Sequence, residues 1–130
     1  MSRTPEELFE KILRNAMKTQ ELGRLGEQTA AEALEAKGYR IVQRNYHCRY
    51  GEIDLIAEQG EMVIFVEVKL RKNDRFSLAR EAVGQAKRQK LRLAAASWLA
   101  EREDDRPARF DVVEVYTQDG RIIHIENAFE

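Results

Sequence analysis

The sequence predicts a single α/β domain in which helices flank a β-sheet. The chain has 130 residues, which is enough for one hydrophobic core and too few for two. Its composition, 43% apolar and 35% charged, is typical of a soluble globular protein. Segments with helical periodicity and segments with strand alternation follow each other in the order helix, three strands, helix, two strands. This order favours a sheet covered by helices.

Two helices are predicted ahead of the first strand. The run Thr4-Pro5-Glu6-Glu7 is typical of a helix start, with Thr4 as the N-cap and proline at the first helical position. This helix is expected to end before Gly23. A second helix is expected from Glu21 to Lys37 because small and apolar residues recur on one of its faces. The predicted organisation is therefore a helical extension over residues 1–22 and one domain over residues 23–130.

The rest of the chain contains five predicted strands and one long helix. Strands are expected over Tyr39–Asn45, Glu52–Glu58, Met62–Leu70, Ala108–Thr117 and Arg121–Glu126, and the helix over Leu78–Arg102. Gln59-Gly60 is a tight-turn signal, and so is Asp119-Gly120. The strands on either side of each turn are therefore expected to form antiparallel hairpins.

The third predicted strand contains two charged residues, Glu67 and Lys69, in an otherwise apolar run. Because side chains alternate along a strand, these two share a face, where charge is costly unless it is paired or functional. A two-residue turn at Gln59-Gly60 would place Glu52 opposite Glu67 and Asp54 opposite Phe65. In that register Asp54 lies on the face of Glu67 and Lys69, provided that no bulge interrupts either strand.

This arrangement predicts a site for a divalent cation. Mg²⁺ prefers oxygen ligands and usually takes one or two carboxylates, which Asp54 and Glu67 supply, and Mn²⁺ is an alternative. Lys69 can then orient or deprotonate an attacking water, or neutralise developing charge. The predicted chemistry is metal-assisted hydrolysis of a phosphodiester. The competing interpretation is a structural Glu–Lys pair at the rim of the sheet.

Several motifs of the chain resemble known families. Asp54, twelve residues and then Glu67-Val68-Lys69 match the signature of PD-(D/E)XK nucleases, although no proline precedes Asp54. A longer set of motifs, from Gly23 to Phe129, resembles the YraN-type family of uncharacterised bacterial proteins. These motifs are Gly23-Arg-Leu-Gly-Glu27, Arg44-Asn45-Tyr46, Gly51-Glu-Ile-Asp-Leu-Ile-Ala57, Phe65-Val-Glu-Val-Lys69, Phe110-Asp-Val-Val113 and Asn127-Ala-Phe129.

The resemblance implies a restriction-endonuclease-like core, α-β-β-β-α-β, with a mixed sheet. It also implies kinship with archaeal Holliday-junction resolvases, whose first core helix carries a metal-binding glutamate that matches Glu27. By this kinship Asp54, Glu67 and Glu27 would be metal ligands, and Lys69 the catalytic lysine. The implied activity is that of a Mg²⁺-dependent endonuclease or resolvase-like hydrolase acting on DNA, such as branched or repair intermediates. Junction resolvases act as dimers, and the sequence leaves a homodimer open.

The charge distribution favours nucleic acid as the partner, although the net charge of the chain is only −1. The window from Lys69 to Arg92 holds nine basic and two acidic residues, so its net charge is +7 and that of the remainder is −8. A basic stretch that begins at the candidate metal site is expected to follow a phosphate backbone. The predicted nucleic-acid contacts are Arg49, Arg71, Lys72, Arg75, Lys87, Arg88 and Lys90.

Two further interpretations remain open, and both keep the fold without the chemistry. One is a non-catalytic nucleic-acid-binding module, and the other is an adaptor that binds a protein partner. A cytoplasmic location is expected because no long apolar run or signal peptide is found and Cys48 is the only cysteine. A single cysteine also excludes an intrachain disulfide and a cysteine-rich zinc site.

Overall fold

The computed structural model describes residues 4–71 and 84–130, with the side chains of residues 9–20 left out. The order of its elements confirms the predicted α/β class. The elements are α1 (Pro5–Ala36), β1 (Arg40–Cys48), β2 (Gly51–Gln59), β3 (Met62–Arg71), α2 (Gln85–Glu101), β4 (Ala108–Tyr116) and β5 (Ile122–Phe129). Within the described ranges, neither helix has the length and apolar character that crossing a bilayer requires.

The five strands form one mixed sheet in the order β1-β2-β3-β4-β5. The β3–β4 pair is parallel, and the other three neighbouring pairs are antiparallel. Parallel neighbours need a crossover connection, and α2 lies in the segment that joins β3 to β4. The predicted mixed sheet and the α-β-β-β-α-β order are thus confirmed.

Each face of the sheet packs against one helix. On one face Leu34 of α1 packs with Leu55 and Ile64 of the sheet. On the other face Trp98 of α2 packs with Phe65, and the two rings meet edge to face with centroids 5.8 Å apart. Two separate hydrophobic cores therefore hold the sheet between the helices.

The predicted break between two N-terminal helices is wrong, because α1 is one continuous helix of 32 residues. Its start is as expected, since the Thr4 hydroxyl accepts a hydrogen bond from the backbone N–H of Glu7 at 3.2 Å. The glycines near the expected break, Gly23 and Gly26, lie in the helix interior. The proposed division of the chain after residue 22 falls within α1 and stays a prediction.

The second helix begins later than predicted. Gly84 has an extended backbone, with φ −62° and ψ 162°, and acts as the N-cap of α2, which starts at Gln85. The predicted unbroken helix from Leu78 is therefore wrong at Gly84, where the backbone is not helical. Residues 78–83 of the predicted helix lie outside the described residues, and so do Lys72 and Arg75, two of the predicted nucleic-acid contacts.

The register of the β2–β3 hairpin differs by two residues from the predicted one. Gln59 pairs with Met62 and Leu55 with Val66, so the two turn residues are Gly60 and Glu61. Gly60 has a φ of +58°, a left-handed value that hairpin turns require at their first central position and that glycine adopts without strain. A shift of two residues leaves the paired side chains of β2 and β3 on their predicted faces.

Candidate active site

The ends of β2 and β3 separate at Asp54. The pairing of the two strands runs from Gln59–Met62 to Leu55–Val66. Beyond this last pair, Oδ2 of Asp54 accepts a hydrogen bond from the backbone N–H of Val68 at 2.8 Å. A side-chain oxygen thus takes the place of a backbone carbonyl as the acceptor. The carboxylate is thereby fixed in the gap between the two strands.

An irregularity in β1 and β2 accompanies this gap. Ile53 and Ile56 both pack into the core on the α2 side, although residues three apart on a regular strand point to opposite faces. Asn45 of β1, which lies at the same level, has a φ of +51°. The predicted alternation of side chains between the two faces of β2 is therefore interrupted between Ile53 and Ile56.

A cavity of about 140 Å³ lies between this part of the sheet and the start of α2. Its lining residues are Tyr50, Gly51, Glu52, Asp54, Glu67, Lys87, Lys90 and Leu91. Asp54 and Glu67 thus face one cavity, as the sequence predicts, although through the shifted register. The predicted pairing of Glu52 with Glu67 is wrong, because the pairing of β2 with β3 ends at Leu55–Val66 and its register would place Asp54 opposite Glu67.

Asp54 lies in surroundings that oppose its ionisation. Its half-buried position and, secondly, the charge of Glu67 raise its pKa from 3.8 to about 7, while the hydrogen bond from Val68 acts in the opposite direction. Glu27 and Glu52 contribute further negative charge. A pair of crowded carboxylates of this kind is stabilised by a proton or by a cation, so the donor set fits a divalent metal ion.

Glu67 forms an ion pair with Lys87 of α2. The carboxylate lies deep in the cavity, with 11% of its side chain exposed, whereas the lysine side chain is 53% exposed. The ammonium contacts Oε1 of Glu67. The single carboxylate charge of Glu67 is therefore balanced within the chain.

Lys69 is half-buried and follows Glu67 on the same face of β3. It pairs in register with Glu114 of β4. Burial, followed by the positive charges of Arg71 and Lys87, lowers the pKa of its ammonium, and Glu67 and Glu114 partly oppose this shift. A lowered pKa is what a lysine needs in order to exchange protons near neutral pH.

Sequence reasoning missed Glu114, although it lies in the apolar run of β4 and is fully buried. Its Oε2 accepts a hydrogen bond from Nε of Arg71 at 3.4 Å. The signal was available, because a charged residue between Val113 and Val115 is unusual in a buried strand. Arg71, which was predicted to contact nucleic acid, thus contacts a buried carboxylate of the sheet.

Glu27 lies on α1, partly buried, and its charge is among those that raise the pKa of Asp54. In the described part of the chain, no three acidic, histidine or cysteine side chains converge as a metal-binding group. Of the three predicted ligands, Asp54 and Glu67 face the cavity, which Glu52 also lines, and the role of Glu27 as a further ligand stays a prediction. Glu27 also lines a shallow groove together with Arg24 and Arg44.

The predicted nucleic-acid contacts occupy different surroundings. Lys87 and Lys90 line the cavity. The Arg49 guanidinium lies over the ring of Tyr50, 4.7 Å from its centre, in the β1–β2 turn. Arg88 packs over Phe129 at 5.6 Å. Of the predicted contacts that the structure describes, only Lys87 and Lys90 line the cavity, and a contact with nucleic acid stays a prediction for each.

The fold and this site are those of a mixed α/β protein in which two carboxylates, Asp54 and Glu67, face one cavity where neighbouring strands separate. The chain matches the model of "Uncharacterised protein family UPF0102" over residues 26–115. It therefore belongs to the UPF0102 family, in agreement with the YraN-type resemblance of its motifs.

Related proteins match along most of their length. A UPF0102 protein of Symbiobacterium thermophilum is 49% identical over 112 residues, which cover 83% of this chain and 95% of that protein. A UPF0102 protein of Syntrophus aciditrophicus is 48% identical over 111 residues, covering 83% and 87%. One of Clostridioides difficile is 42% identical over 114 residues, covering 87% and 100%.

Proposed function

We propose that this protein is a divalent-metal-dependent nuclease that hydrolyses phosphodiester bonds in DNA. The observation that carries the proposal is that Asp54 and Glu67 line one cavity, with Lys69 next on the same face of β3. The raised pKa of Asp54 supports it, because an ionised pair of carboxylates at this point calls for a cation.

Each of the three residues has a distinct role in the proposed reaction. Asp54 and Glu67 hold Mg²⁺ or Mn²⁺, for which two carboxylates are a common complement. A divalent cation bound there lowers the pKa of a coordinated water and stabilises charge on phosphodiester oxygens. Lys69 orients the attacking water or takes its proton, and its lowered pKa suits both tasks. The hydrogen bond from Val68 fixes the direction of the Asp54 carboxylate.

Branched or repair intermediates of DNA in the cytoplasm are the proposed substrates, with a homodimer as the proposed assembly. The support is the kinship with junction resolvases that the motifs indicate and the ammonium groups of Lys87 and Lys90 at the cavity. Positive charge at the cavity mouth attracts a phosphate backbone whatever its base sequence. Substrate shape rather than sequence is therefore expected to govern cleavage.

The proposal is tested by cleavage of four-way junction, flap and single-stranded DNA with Mg²⁺ or Mn²⁺. Wild-type protein is expected to cut at least one substrate, and chelation with EDTA is expected to abolish cleavage. Glu67→Gln should be inactive, whereas Glu61→Gln should cut like wild type, because Glu61 lies exposed in the hairpin turn at the far end of β2 and β3. Absence of cleavage by wild type, or equal cleavage by Glu67→Gln, would overturn the proposal.

A second candidate is a nucleic-acid-binding module without catalysis, which the ion pair between Glu67 and Lys87 favours. Because Lys87 balances the charge of Glu67, this carboxylate has a counter-charge without a divalent cation. Under this function the protein binds DNA with a steep salt dependence, binding survives Glu67→Gln, and no substrate is cut. Cleavage that depends on Glu67 decides against it.

A further inference from the structure

Lys87 lies where a lysine is electrostatically unfavourable unless it has a local partner. It is the third residue of α2, and the first turn of this helix contains no acidic residue. Helix N-termini carry partial positive charge, so an ammonium there is disfavoured by the helix dipole. The carboxylate of Glu67 compensates for this, because it contacts the ammonium directly. The ammonium of Lys87 is therefore stabilised by the carboxylate of Glu67 in the cavity, whereas the N-terminus of its own helix disfavours it.

The ion pair places an ammonium on a carboxylate that is a proposed metal ligand. Glu67 is one of three carboxylates that line the cavity, with Glu52 and Asp54, and its Oε1 contacts the ammonium of Lys87. A divalent cation bound by Glu67 and the ammonium of Lys87 would share one carboxylate charge and repel each other. The lysine side chain is 53% exposed, so it can move towards solvent when displaced.

We propose that Lys87 is an internal counter-ion of the metal site, which a divalent cation displaces from Glu67 so that the ammonium binds a phosphate of the nucleic acid. This inference rests on the proposed function and deepens it, because it makes metal binding and nucleic-acid binding depend on each other. A cation releases Lys87, and a bound phosphate keeps Lys87 away from Glu67.

The surroundings of Lys87 favour phosphate as its second partner. Lys90 lies one helical turn further and lines the same cavity, so a released Lys87 places two ammonium groups at its mouth. Exposed lysine side chains are flexible point charges that suit phosphate backbones. By linkage, the factor by which the metal strengthens nucleic-acid binding equals the factor by which nucleic acid strengthens metal binding.

Metal affinity in the absence of nucleic acid tests the first half of the inference. Titration calorimetry with Mn²⁺ is compared for wild type, Lys87→Gln and Lys90→Gln, which remove one charge each from the same cavity. We expect Lys87→Gln to bind Mn²⁺ about fivefold more tightly than wild type, since the competitor is gone. Lys90→Gln should change the affinity by less than about twofold, as a charge near the surface does.

Nucleic-acid affinity tests the second half. Fluorescence anisotropy with a labelled single-stranded DNA oligonucleotide is measured in EDTA and in Ca²⁺, for wild type and Lys87→Gln. Ca²⁺ should strengthen binding by wild type about fivefold and binding by Lys87→Gln much less. Equal strengthening in both proteins would overturn the coupling.

The results separate failure of this inference from failure of the proposed function. If wild type binds Mn²⁺ and Asp54→Asn does not, but Lys87→Gln binds no more tightly than wild type, the inference is wrong and the metal site stands. If Lys87→Gln and Lys90→Gln tighten binding equally, general charge explains the effect and direct competition is wrong. If wild type binds no divalent cation at all, the proposed function fails and the inference falls with it.

Discussion

Oδ2 of Asp54 accepts a hydrogen bond from the backbone N–H of Val68 at 2.8 Å, across the point where β2 and β3 stop pairing. A side chain here completes the sheet in place of the backbone. The same carboxylate faces a cavity that also contains Glu67. One residue therefore both closes the strand edge and presents a carboxylate to the cavity, which links the stability of the sheet end to the charge of the site.

This link predicts a pH-dependent effect of Asp54→Asn on stability in EDTA. The folded pKa of Asp54, about 7, is higher than the ordinary value of 3.8, so between these values the folded state holds a proton that the unfolded state has lost. Wild type therefore loses stability as the pH rises through this range, and the loss levels off above it. Asparagine has no such charge and keeps an oxygen for the Val68 N–H.

The expected advantage of Asp54→Asn is small near pH 4 and on the order of 2 kcal/mol near pH 8, a value discounted for partial exposure. Denaturant unfolding followed by fluorescence of Trp98, the single tryptophan of the sequence, measures it. Asp105→Asn serves as the control, because Asp105 is exposed. An advantage that stays constant with pH, or that shrinks as pH rises, would show that Asp54 is not held in its protonated form.

Lys69→Met is predicted to separate catalysis from metal binding. The side chain follows Glu67 on the same face of β3 but is not itself an acidic ligand. Its removal is expected to slow cleavage about a hundredfold or more, as loss of a group that handles protons does. Mn²⁺ affinity by calorimetry should stay within about threefold of wild type, since one positive charge is lost near the site. Loss of metal binding together with activity would assign Lys69 a structural role.

Asp111→Asn is predicted to lower the free energy of unfolding. Asp111 lies on β4, outside the cavity that Asp54 and Glu67 line. Asp111 is fully buried and accepts hydrogen bonds from Nε of Arg109 at 2.9 Å and from the backbone N–H of Asn127 at 3.0 Å. Its carboxylate also lies 2.7 Å from Nε2 of His124. Burial alone would raise the pKa of Asp111, but His124 and Arg109 lower it below its usual value.

Neutralising this carboxylate leaves Arg109 without its buried counter-charge, which typically costs about 3 kcal/mol of unfolding free energy. Urea unfolding at neutral pH measures the loss, again with Asp105→Asn as the control. Mn²⁺ affinity of the folded variant should not change, because Asp111 does not line the cavity of Asp54. A loss below about 1 kcal/mol would show that the network contributes little.

Much of the architecture follows from the local pattern of apolar and polar residues, and the points at which the structure differs from the prediction have physical causes. The apolar and polar faces of β3 are set by alternation, so Glu67 and Lys69 could be placed on one face before the fold was known. The register of the hairpin depends on whether Gly60 is the first or the second residue of the turn, and the sequence is compatible with both. The error of two residues kept the faces intact, so the candidate pair survived it.

The remaining features of the site depend on contacts between distant segments. The ion pair of Glu67 with Lys87 joins β3 to α2, across twenty residues of sequence. The contact of Arg71 with Glu114 joins β3 to β4. The basic window from Lys69 to Arg92 predicted nucleic-acid contacts at Arg71 and Lys87 alike, because charge clustering does not distinguish an exposed cation from one that balances a buried acid.

The two glycines inside α1 are predicted to respond differently to alanine. A side chain at Gly23 would meet nothing within 4 Å, so Gly23→Ala should stabilise the protein by about 1 kcal/mol, the usual difference in helix propensity. A Cβ at Gly26 would lie 2.5 Å from Cδ2 of Leu70, so the leucine at the end of β3 must move. This displacement offsets the gain in propensity, and Gly26→Ala should be less stable than Gly23→Ala. Denaturant unfolding of the two single variants provides the comparison. An equal gain in unfolding free energy in both would show that α1 and the side chain of Leu70 are not closely packed at Gly26.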